Sequence, residues 1–281
     1  MTLRSAAGFD ISIRPRRHHS RAARKRLEPR FEISRADGIV ACMEWLAERL
    51  ADVEGVTAVA LGGSRALGTH RAGSDFDLGL YYRGTIHPEA IRALGYPGTV
   101  AAPGEWAYPM NGGAWLTVEA QKVDLLYRDL DDVERWIDEV EQGRWELYRV
   151  PGYLCGMPSY ALVAELALCR VLIGELPRPS FPRPLRRSAP PRWRWESDFA
   201  IQHAQAHALR SDVAACVEKL SFAILAEAHA RLCERGEWIC NEKYLAERDG
   251  LAGAEALLID VPRAEPRAAV AYVRTAVSDG R

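Results

Sequence analysis

Length, composition and charge already narrow what this chain can be. It has 281 residues, 48% of them hydrophobic and 27% charged, which is enough to bury a substantial core in one or two globular domains. Its formal net charge of −1 argues against a protein that binds long nucleic acid, because such proteins carry a basic surplus. No uninterrupted apolar run of about 18 residues occurs, so we expect no membrane-spanning helix. The composition favours an enzyme with a small substrate.

The first 35 residues differ from the rest in their positive charge. Between Arg14 and Arg26 the sequence is dense in arginine, histidine and lysine, and it lacks the apolar core of a secretory signal. We predict a disordered tail over 1–35, with a tether to nucleic acid or to an acidic partner as the alternative. A start codon assigned too early would also explain the segment.

The six cysteines show no paired short spacing that would indicate a zinc site. Several lie in apolar helical contexts, so we interpret them as reduced core residues of a cytoplasmic protein. They are Cys42, Cys155, Cys169, Cys216, Cys233 and Cys240.

After a predicted amphipathic helix over 37–51, a short apolar strand leads into a glycine turn. The β-branched run Val56–Leu61 predicts a buried strand that ends at Gly62 and Gly63. These glycines let the backbone approach a ligand. Ser64 adds a hydroxyl, and Arg65 can open a helix whose first amides favour an anion. A phosphate is the natural occupant, although a plain turn between strand and helix would use the same residues.

Two carboxylates follow on the next predicted strand. In Ser74–Tyr82 side chains alternate, so Asp75 and Asp77 lie on one face and four apolar side chains lie on the other. Neighbouring carboxylates repel each other unless a cation lies between them, and such oxygen ligands suit Mg²⁺ bound jointly with substrate phosphates. The alternative is a polar strand edge that faces solvent.

A predicted helix over 87–94 is followed by a long Gly- and Pro-rich loop over 95–113. Unstructured connections of this length in a compact domain are often functional. Trp106 and Tyr108 lie in it, and contact with a nucleotide base or an acceptor is one interpretation; a simple surface loop is the other.

The next two strands locate a third carboxylate by the same alternation. Ala114–Glu119 and Lys122–Tyr127 read as strands around a turn at 120–121, which would set Thr117 opposite Asp124. One face of this hairpin is apolar, and Asp124 lies on the polar face.

Three carboxylates on adjacent strands leave room for one or two Mg²⁺ ions. Glu119 competes with Asp124 for the third position, but its place beside the turn favours a solvated hairpin end.

The rest of the chain is predicted to be mainly helical. We predict a helix over 129–141, a strand over 144–150, a helix over 159–173, a proline-rich connection over 175–192, and helices over 193–209 and 211–235, the last capped by Ser211. Lys219 lies beside the apolar stripe of that last helix and could help neutralise a triphosphate; a solvated lysine is the alternative. His203 and His207 are four apart on one helix face, and without a third ligand we interpret them as structural rather than metal-binding.

Taken together, these motifs resemble the nucleotidyltransferase superfamily that includes polymerase β, and within it the aminoglycoside and lincosamide nucleotidyltransferases and their uncharacterised bacterial relatives. The family pattern matches Gly62–Ser64, Asp75, Asp77 and Asp124. By this resemblance the turn holds the triphosphate, Asp75 and Asp77 ligate Mg²⁺, and Asp124 is the third ligand or the general base. The segment 241–243, Asn-Glu-Lys, also resembles a motif of the helical half of such proteins, with no role assigned.

The resemblance implies an α/β (α+β) nucleotidyltransferase fold: a small mixed sheet flanked by helices, followed by a C-terminal helical domain. We expect a tail over 1–35, a nucleotidyltransferase domain over 36–156 and a helical domain over 157–281. The expected nucleotide-binding residues are Gly62, Gly63, Ser64, Arg65, Ser74 and Lys219.

The expected reaction is the transfer of a nucleoside monophosphate, AMP from ATP, to a hydroxyl of a small molecule with release of pyrophosphate. The first alternative is an antitoxin-like or protein-modifying adenylyltransferase, whose usual version is a bare minimal domain. The second is a catalytically silent binding fold, against which the intact set of three carboxylates argues. The preferred nucleotide, the acceptor and the oligomeric state are not specified by the sequence.

Overall fold

The computed structural model describes residues 35–258 and 266–279. The predicted tail lies outside these ranges except for Arg35, which begins the first helix. The elements of the amino-terminal part are α1 (Arg35–Ala51), β1 (Val56–Leu61), α2 (Gly63–Ala66), β2 (Phe76–Tyr82), α3 (Pro88–Arg92), β3 (Gly98–Val100), β4 (Gly113–Val118) and β5 (Gln121–Asp129). They are followed by α4 (Leu130–Glu141), β6 (Leu147–Tyr148), β7 (Met157–Pro158), α5 (Tyr160–Leu168), β8 (Arg170–Ile173), α6 (Arg183–Leu209), α7 (Val213–Arg235), α8 (Leu245–Arg248), α9 (Ala252–Leu257) and α10 (Pro266–Ser278).

A mixed six-stranded sheet with the order β3-β4-β5-β2-β1-β8 forms the centre of the molecule. Strands β2 and β5 are parallel, and the other neighbours are antiparallel. The parallel pair needs a crossover, which α3, β3 and β4 supply between the two strands. Strands β6 and β7 pair in a separate small ribbon.

Hydrophobic side chains cover both faces of the sheet. On one face Leu78 packs in a cluster with Leu46 of α1 and Ile91 of α3. On the other face Tyr81 belongs to a cluster that includes Tyr160 of α5 and continues into α6 and α7. Because side chains alternate along β2, neighbouring residues of one strand contribute to opposite layers. The predicted fold class, a mixed sheet flanked by helices with a helical region after it, is confirmed.

The hairpin between β4 and β5 turns one residue earlier than the sequence predicts. Glu119 and Ala120 occupy the turn with φ of 46° and 60°, and Asp124 is paired with Trp115 rather than with Thr117. A two-residue hairpin of this kind needs positive φ at both positions. No glycine or asparagine marks them here, so the sequence does not reveal the register. The assignment of faces survives because the pairing changes by an even number of residues.

The predicted helix over 159–173 is wrong over its last third, residues 169–173. Helix α5 ends at Leu168, Cys169 is extended, and Arg170–Ile173 forms strand β8 along the free edge of β1. An apolar run suits a buried helix or a buried strand equally well, and the open edge of β1 decides the outcome here. A segment after residue 156 therefore contributes to the sheet.

Four further predictions are corrected. Helix α6 begins at Arg183 and runs through Pro190 and Pro191, and burial of Ala189, Pro190 and Trp193 offsets the helix hydrogen bonds that the prolines lose. Helix α7 is capped by Asp212, whose side chain accepts from the amide of Ala215 at 3.4 Å, and not by Ser211. The predicted strand over 144–150 shrinks to β6, and the predicted loop over 95–113 contains β3.

None of the described helices combines the length and apolarity that a bilayer span requires. Among the described side chains five cysteines are unpaired, and all but Cys240 are buried.

Candidate active site

The glycine turn packs directly against the start of β2. The amide of Gly62 donates to the carbonyl of Asp77 at 2.7 Å. Gly63 has a φ of +58°, and a Cβ at that position would lie 1.8 Å from Oδ2 of Asp77. Only glycine satisfies both conditions, since L side chains rarely adopt this φ and no side chain has room here. The turn and the Asp77 carboxylate therefore fix each other's position.

Arg65 and Ser74 hold together the loop between the turn and β2. The Arg65 guanidinium donates to the carbonyl of Ser74 at 2.6 Å and to that of Asp75 at 3.1 Å, and it lies 3.7 Å from the ring centroid of Phe76. The hydroxyl of Ser74 accepts from the amide of Arg71 at 3.0 Å. Both residues therefore place Asp75 through contacts within the protein, and their predicted contact with nucleotide stays a prediction.

Asp77 and Asp124 are direct neighbours across the parallel pair β2–β5. Both side chains are half-buried on the sheet face that also carries Tyr81 and therefore faces the helical half. Asp75, also half-buried, lies one residue before β2. The structure thus brings the three predicted carboxylates together beside the glycine turn.

The electrostatics of these carboxylates reflect this crowding. Burial raises the pKa of Asp77 to about 6, the charges of Asp124 and Asp75 raise it as well, and Lys243 acts in the opposite direction. Burial, followed by the charge of Asp75, also raises the pKa of Asp124, against Lys243 and Lys122. Concentrated negative charge of this kind is stabilised when a cation binds.

The donor set suits Mg²⁺ shared with a phosphate better than a complete protein cage. In the part of the chain that the structure describes, no group of three or more His, Cys, Asp or Glu side chains could hold a metal ion by itself. Mg²⁺ is usually bound by one or two carboxylates together with substrate phosphates and water. Asp75 and Asp77 next to the glycine turn fit that chemistry, whereas the expectation of three protein ligands has no support in this arrangement.

Lys243, rather than the predicted Lys219, is the lysine whose charge acts on both Asp77 and Asp124. On α7, Lys219 pairs with Glu218 at 2.9 Å. Lys243 follows Glu242, whose carboxylate accepts from the amides of Leu154 at 2.6 Å and Cys155 at 2.7 Å. The Asn-Glu-Lys motif at 241–243 is therefore fastened to the segment before β7.

The same motif is shaped locally by an Asn turn. The side chain of Asn241 accepts from the amide of Lys243 at 3.0 Å, and the next residue, Tyr244, has a φ of 55°. The Tyr244 ring lies under the guanidinium of Arg71, at 5.2 Å. Through Tyr244, the residue directly after the motif, this segment also contacts the loop that leads from the glycine turn to Asp75. In the sequence this segment was marked only by a polar Asn-Glu-Lys run after a long helix. The residues that it contacts are distant in the chain, so the sequence did not indicate its role.

A cavity of about 410 Å³ opens beside the acidic residues. It is lined by Asp75, Trp115, Leu116, Thr117, Lys122 and Asp124. Glu119 is exposed at the hairpin turn next to it.

Three other residues that the sequence analysis considered make their contacts away from Asp75, Asp77 and Asp124. Tyr108 ties its loop to α4, where its hydroxyl donates to Asp132 at 2.9 Å and accepts from the Trp136 indole. Nδ1 of His207 lies 3.0 Å from the Asp212 carboxylate, and the His203 ring packs on Phe199.

Comparison with known proteins finds one family model that matches the part of the chain with the candidate site. Residues 43–144 match the model of the nucleotidyltransferase domain, just over a third of the chain, and this range includes the glycine turn and the three carboxylates. No curated protein matches the chain. Among solved structures it is similar to a nucleotidyltransferase-like protein from Exiguobacterium sibiricum 255-15, with 9% identity, a TM-score of 0.39, and coverage of 85% of this chain and 73% of that one. The family match supports nucleotidyl transfer, and it says nothing about a link to the aminoglycoside and lincosamide enzymes.

Proposed function

We propose that this chain is a Mg²⁺-dependent nucleotidyltransferase that moves AMP from ATP to a hydroxyl of a small-molecule acceptor and releases pyrophosphate. The observation that carries the proposal is the pairing of Asp77 with Asp124 on adjacent strands, directly beside the Gly62–Gly63 turn. The family match supports the general reaction. The identity of the nucleotide, the ion and the acceptor class is our proposal.

In this proposal each group has a separate task. The backbone amide of Gly63 and the hydroxyl of Ser64 bind the β- and γ-phosphates, while the hydrogen bond from the Gly62 amide to the Asp77 carbonyl positions the turn. Asp75 and Asp77 would hold Mg²⁺, which when bound supplies neutralisation of the phosphate charge. Catalysis of phosphoryl-group transfer depends mostly on positioning and charge, so these few groups suffice.

Asp124 takes the role of general base. A raised pKa makes a carboxylate a stronger base at neutral pH, and burial beside Asp75 provides that shift. The acceptor oxygen gives its proton to Asp124 and forms a bond to the α-phosphorus, while the bond from that phosphorus to the bridging oxygen of pyrophosphate breaks.

Lys243 takes the triphosphate-neutralising role that the sequence suggests for Lys219. It is the lysine whose charge acts on both Asp77 and Asp124. Its segment is held in place by the two hydrogen bonds of Glu242.

Two measurements, carried out one after the other, test the proposal. Isothermal titration of the full-length protein with a non-hydrolysable ATP analogue should show binding in Mg²⁺ and at least tenfold weaker binding in EDTA. Equal affinity in EDTA would contradict the carboxylate–metal site. A mass-shift screen with labelled ATP and GTP against small hydroxyl compounds and purified cell proteins then identifies the acceptor, and modification of a protein alone would overturn the small-molecule assignment.

A further inference from the structure

We propose that Trp115, supported by Trp106, is the platform on which the acceptor's ring stacks, so that the acceptor is a small molecule with a flat-faced ring next to its reacting hydroxyl. This inference rests on the proposed function and specifies its substrate class.

Trp115 is exposed at a place where exposure of a large aromatic side chain has no structural benefit. It lies on β4 between buried Ala114 and buried Leu116, and 55% of it is accessible. Its cross-strand partner is Asp124, so the indole stands on the carboxylate face of the sheet and lines the cavity of about 410 Å³ with that residue. Exposed aromatic surface beside convergent polar groups is typical of a ligand site.

A second tryptophan fixes the orientation of the first. The Trp106 and Trp115 rings stack with centroids 4.7 Å apart and planes 25° apart. Gly113 provides the room, because a Cβ there would lie 2.9 Å from Cζ3 of Trp106. The amide of Trp106 donates to the carbonyl of Asn111 at 3.2 Å, and the Asn111 side chain donates to the Tyr82 hydroxyl at 2.8 Å. The platform is therefore set before a ligand arrives, which lowers the entropic cost of binding.

Strand order decides which substrate this platform meets. The glycine turn follows β1, Asp77 lies on β2, Asp124 on β5 and Trp115 on β4, in the spatial sequence β1-β2-β5-β4. Trp115 is thus on the far side of the base from the phosphate turn. In an in-line transfer the acceptor approaches the α-phosphorus opposite the leaving pyrophosphate, so it enters from the Trp115 side.

The surroundings of the platform limit the acceptor further. Thr117 and Lys122 face each other across the same hairpin and line the same cavity, where they offer a hydroxyl and an ammonium group to a polar substituent. A sugar or an aromatic ring with hydroxyl substituents satisfies both the indole face and these donors. An open-chain polyol satisfies only the donors.

The test uses saturation-transfer NMR on the full-length protein with Mg²⁺ and a non-hydrolysable ATP analogue. The probes are p-nitrophenyl β-glucoside, which has two rings, and sorbitol, which has none. We expect saturation of the glucoside protons in the wild type and little in sorbitol. Trp115→Ala should weaken the apparent affinity for the glucoside about fivefold or more, the size of a lost aromatic stacking contact, and Trp115→Phe should retain most of it.

Trp195→Ala is the matched control. Trp195 is 61% exposed on α6 and stacks on Phe199 at 5.3 Å, so it is a second exposed, aromatic-backed tryptophan and should not affect the probe. No probe binding by the wild type, equal binding by Trp115→Ala, or a loss of ATP-analogue affinity in that variant would each overturn the platform. A wild type that binds the analogue equally well in EDTA would contradict the proposed function itself, which separates the two failures.

Discussion

At the scale of single residues, Gly63 links the backbone conformation of the turn to the position of the Asp77 carboxylate. Its φ of +58° and the 1.8 Å that would separate a Cβ from Asp77 Oδ2 are two separate reasons why this position requires glycine. Gly68 has a φ of +71° with nothing within 4 Å, so only the first reason applies to it. A comparison of Gly63 with Gly68 therefore separates the effect of backbone strain from the effect of the close approach to Asp77.

We therefore predict different outcomes for two alanine substitutions. Gly68→Ala should lower the free energy of unfolding by about 1 kcal/mol, the cost of a left-handed alanine, and leave nucleotide binding unchanged. Gly63→Ala should cost more and weaken binding of the ATP analogue at least about tenfold, because Asp77 has to move. Urea unfolding and titration calorimetry measure both quantities. Equal losses in the two variants would show that the contact with Asp77 has no consequence.

The acidic residues allow a sharper prediction. Asp75→Asn, Asp77→Asn and Asp124→Asn remove charge at nearly constant size, so each should lower transfer at least about a hundredfold. Their melting temperatures without nucleotide should not fall, because clustered carboxylates repel each other. Glu119→Gln, at the exposed turn, is the control and should be mild.

A thermal melt beside the transfer assay separates the outcomes. A folded Asp77→Asn protein with normal turnover would show that Asp77 has no role in the site. An inactive Glu119→Gln with an active Asp124→Asn would exchange the roles of those two residues.

The two lysines form another matched pair. Lys243→Ala should weaken binding of the Mg²⁺–ATP analogue about tenfold, whereas Lys219→Ala, which loses only its surface contact with Glu218, should bind normally. Calorimetry at two salt concentrations checks both, since an electrostatic contribution shrinks with added salt. A larger loss of affinity in Lys219→Ala than in Lys243→Ala would instead support the role of Lys219 that the sequence suggests.

These residues also show what a sequence can indicate. Asp75, Asp77 and Asp124 follow from strand alternation, which is a local property of the chain. Lys243 lies more than a hundred residues away in the chain, yet its charge acts on Asp77 and Asp124, and its position depends on the hydrogen bonds that Glu242 accepts from Leu154 and Cys155. No local pattern in the sequence encodes such a placement.

At the scale of elements, the central strand β1 was easier to predict than the edge strands β3 and β8 or the ends of the helices. Strand β1 has the predicted bounds, because a glycine precedes it and two follow it. Helix α5 could not be separated from β8 in the sequence, since only pairing with β1 distinguishes that apolar run from a continued helix. The start of α6 was hidden by Pro190 and Pro191, which normally indicate a break.

The helices of the second half enclose a polar cluster that should respond to pH. His229 on α7 is 1% exposed, its ring stacks on Trp193 at 4.3 Å, and its Nδ1 lies 3.2 Å from the Tyr160 hydroxyl. Its Nε2 is buried without a partner among the described residues. Burial, and after it the charge of Arg248, lowers the pKa of His229 to about 3.

The sign of the effect follows from the two states. The unfolded chain binds a proton at His229 near pH 6.5 and the folded chain does not until about pH 3, so this stability is complete above pH 6.5 and lost as pH falls towards 3. Between pH 7 and pH 5 the wild type should lose about 2 kcal/mol of unfolding free energy through this residue. His229→Phe, which keeps a ring against Trp193, should lack that component. Chemical denaturation at both pH values checks it, and the same pH dependence in both proteins would contradict the assignment.

At the scale of the whole molecule, the two halves share the carboxylate face of the sheet. The face that carries Asp77 also carries Tyr81, which packs in the cluster that extends into α5, α6 and α7. Arg128 of β5 is 2% exposed and donates to both oxygens of Glu165 on α5, at 2.6 Å and 3.0 Å. A buried charge of this kind is costly when its partner is removed. The order of domains along the chain does not reveal this shared core, because it depends on which face each helix covers.

This shared core makes the boundary at residue 156 testable. Cutting after Gly156 removes β8, the antiparallel neighbour of β1, and α5 with its buried Tyr160 and Leu166. It leaves Arg128 without Glu165 and removes Lys243 from the site. We therefore expect the fragment 1–156 to be insoluble or to melt without a cooperative transition, and to show no Mg²⁺-dependent binding of the ATP analogue.

A second variant separates loss of folding from loss of the lysine. Full-length Lys243→Ala should melt cooperatively near the wild-type temperature, because this change does not touch the shared core, while its nucleotide affinity falls about tenfold. The two proteins are compared by circular dichroism melts and by calorimetry. A fragment 1–156 that melts cooperatively and binds the analogue like Lys243→Ala would show that the first half folds by itself, and that the helices only add groups to a complete site. Failure of the fragment beside a folded Lys243→Ala protein would instead mean that the helical half is needed to build the sheet on which the carboxylates stand.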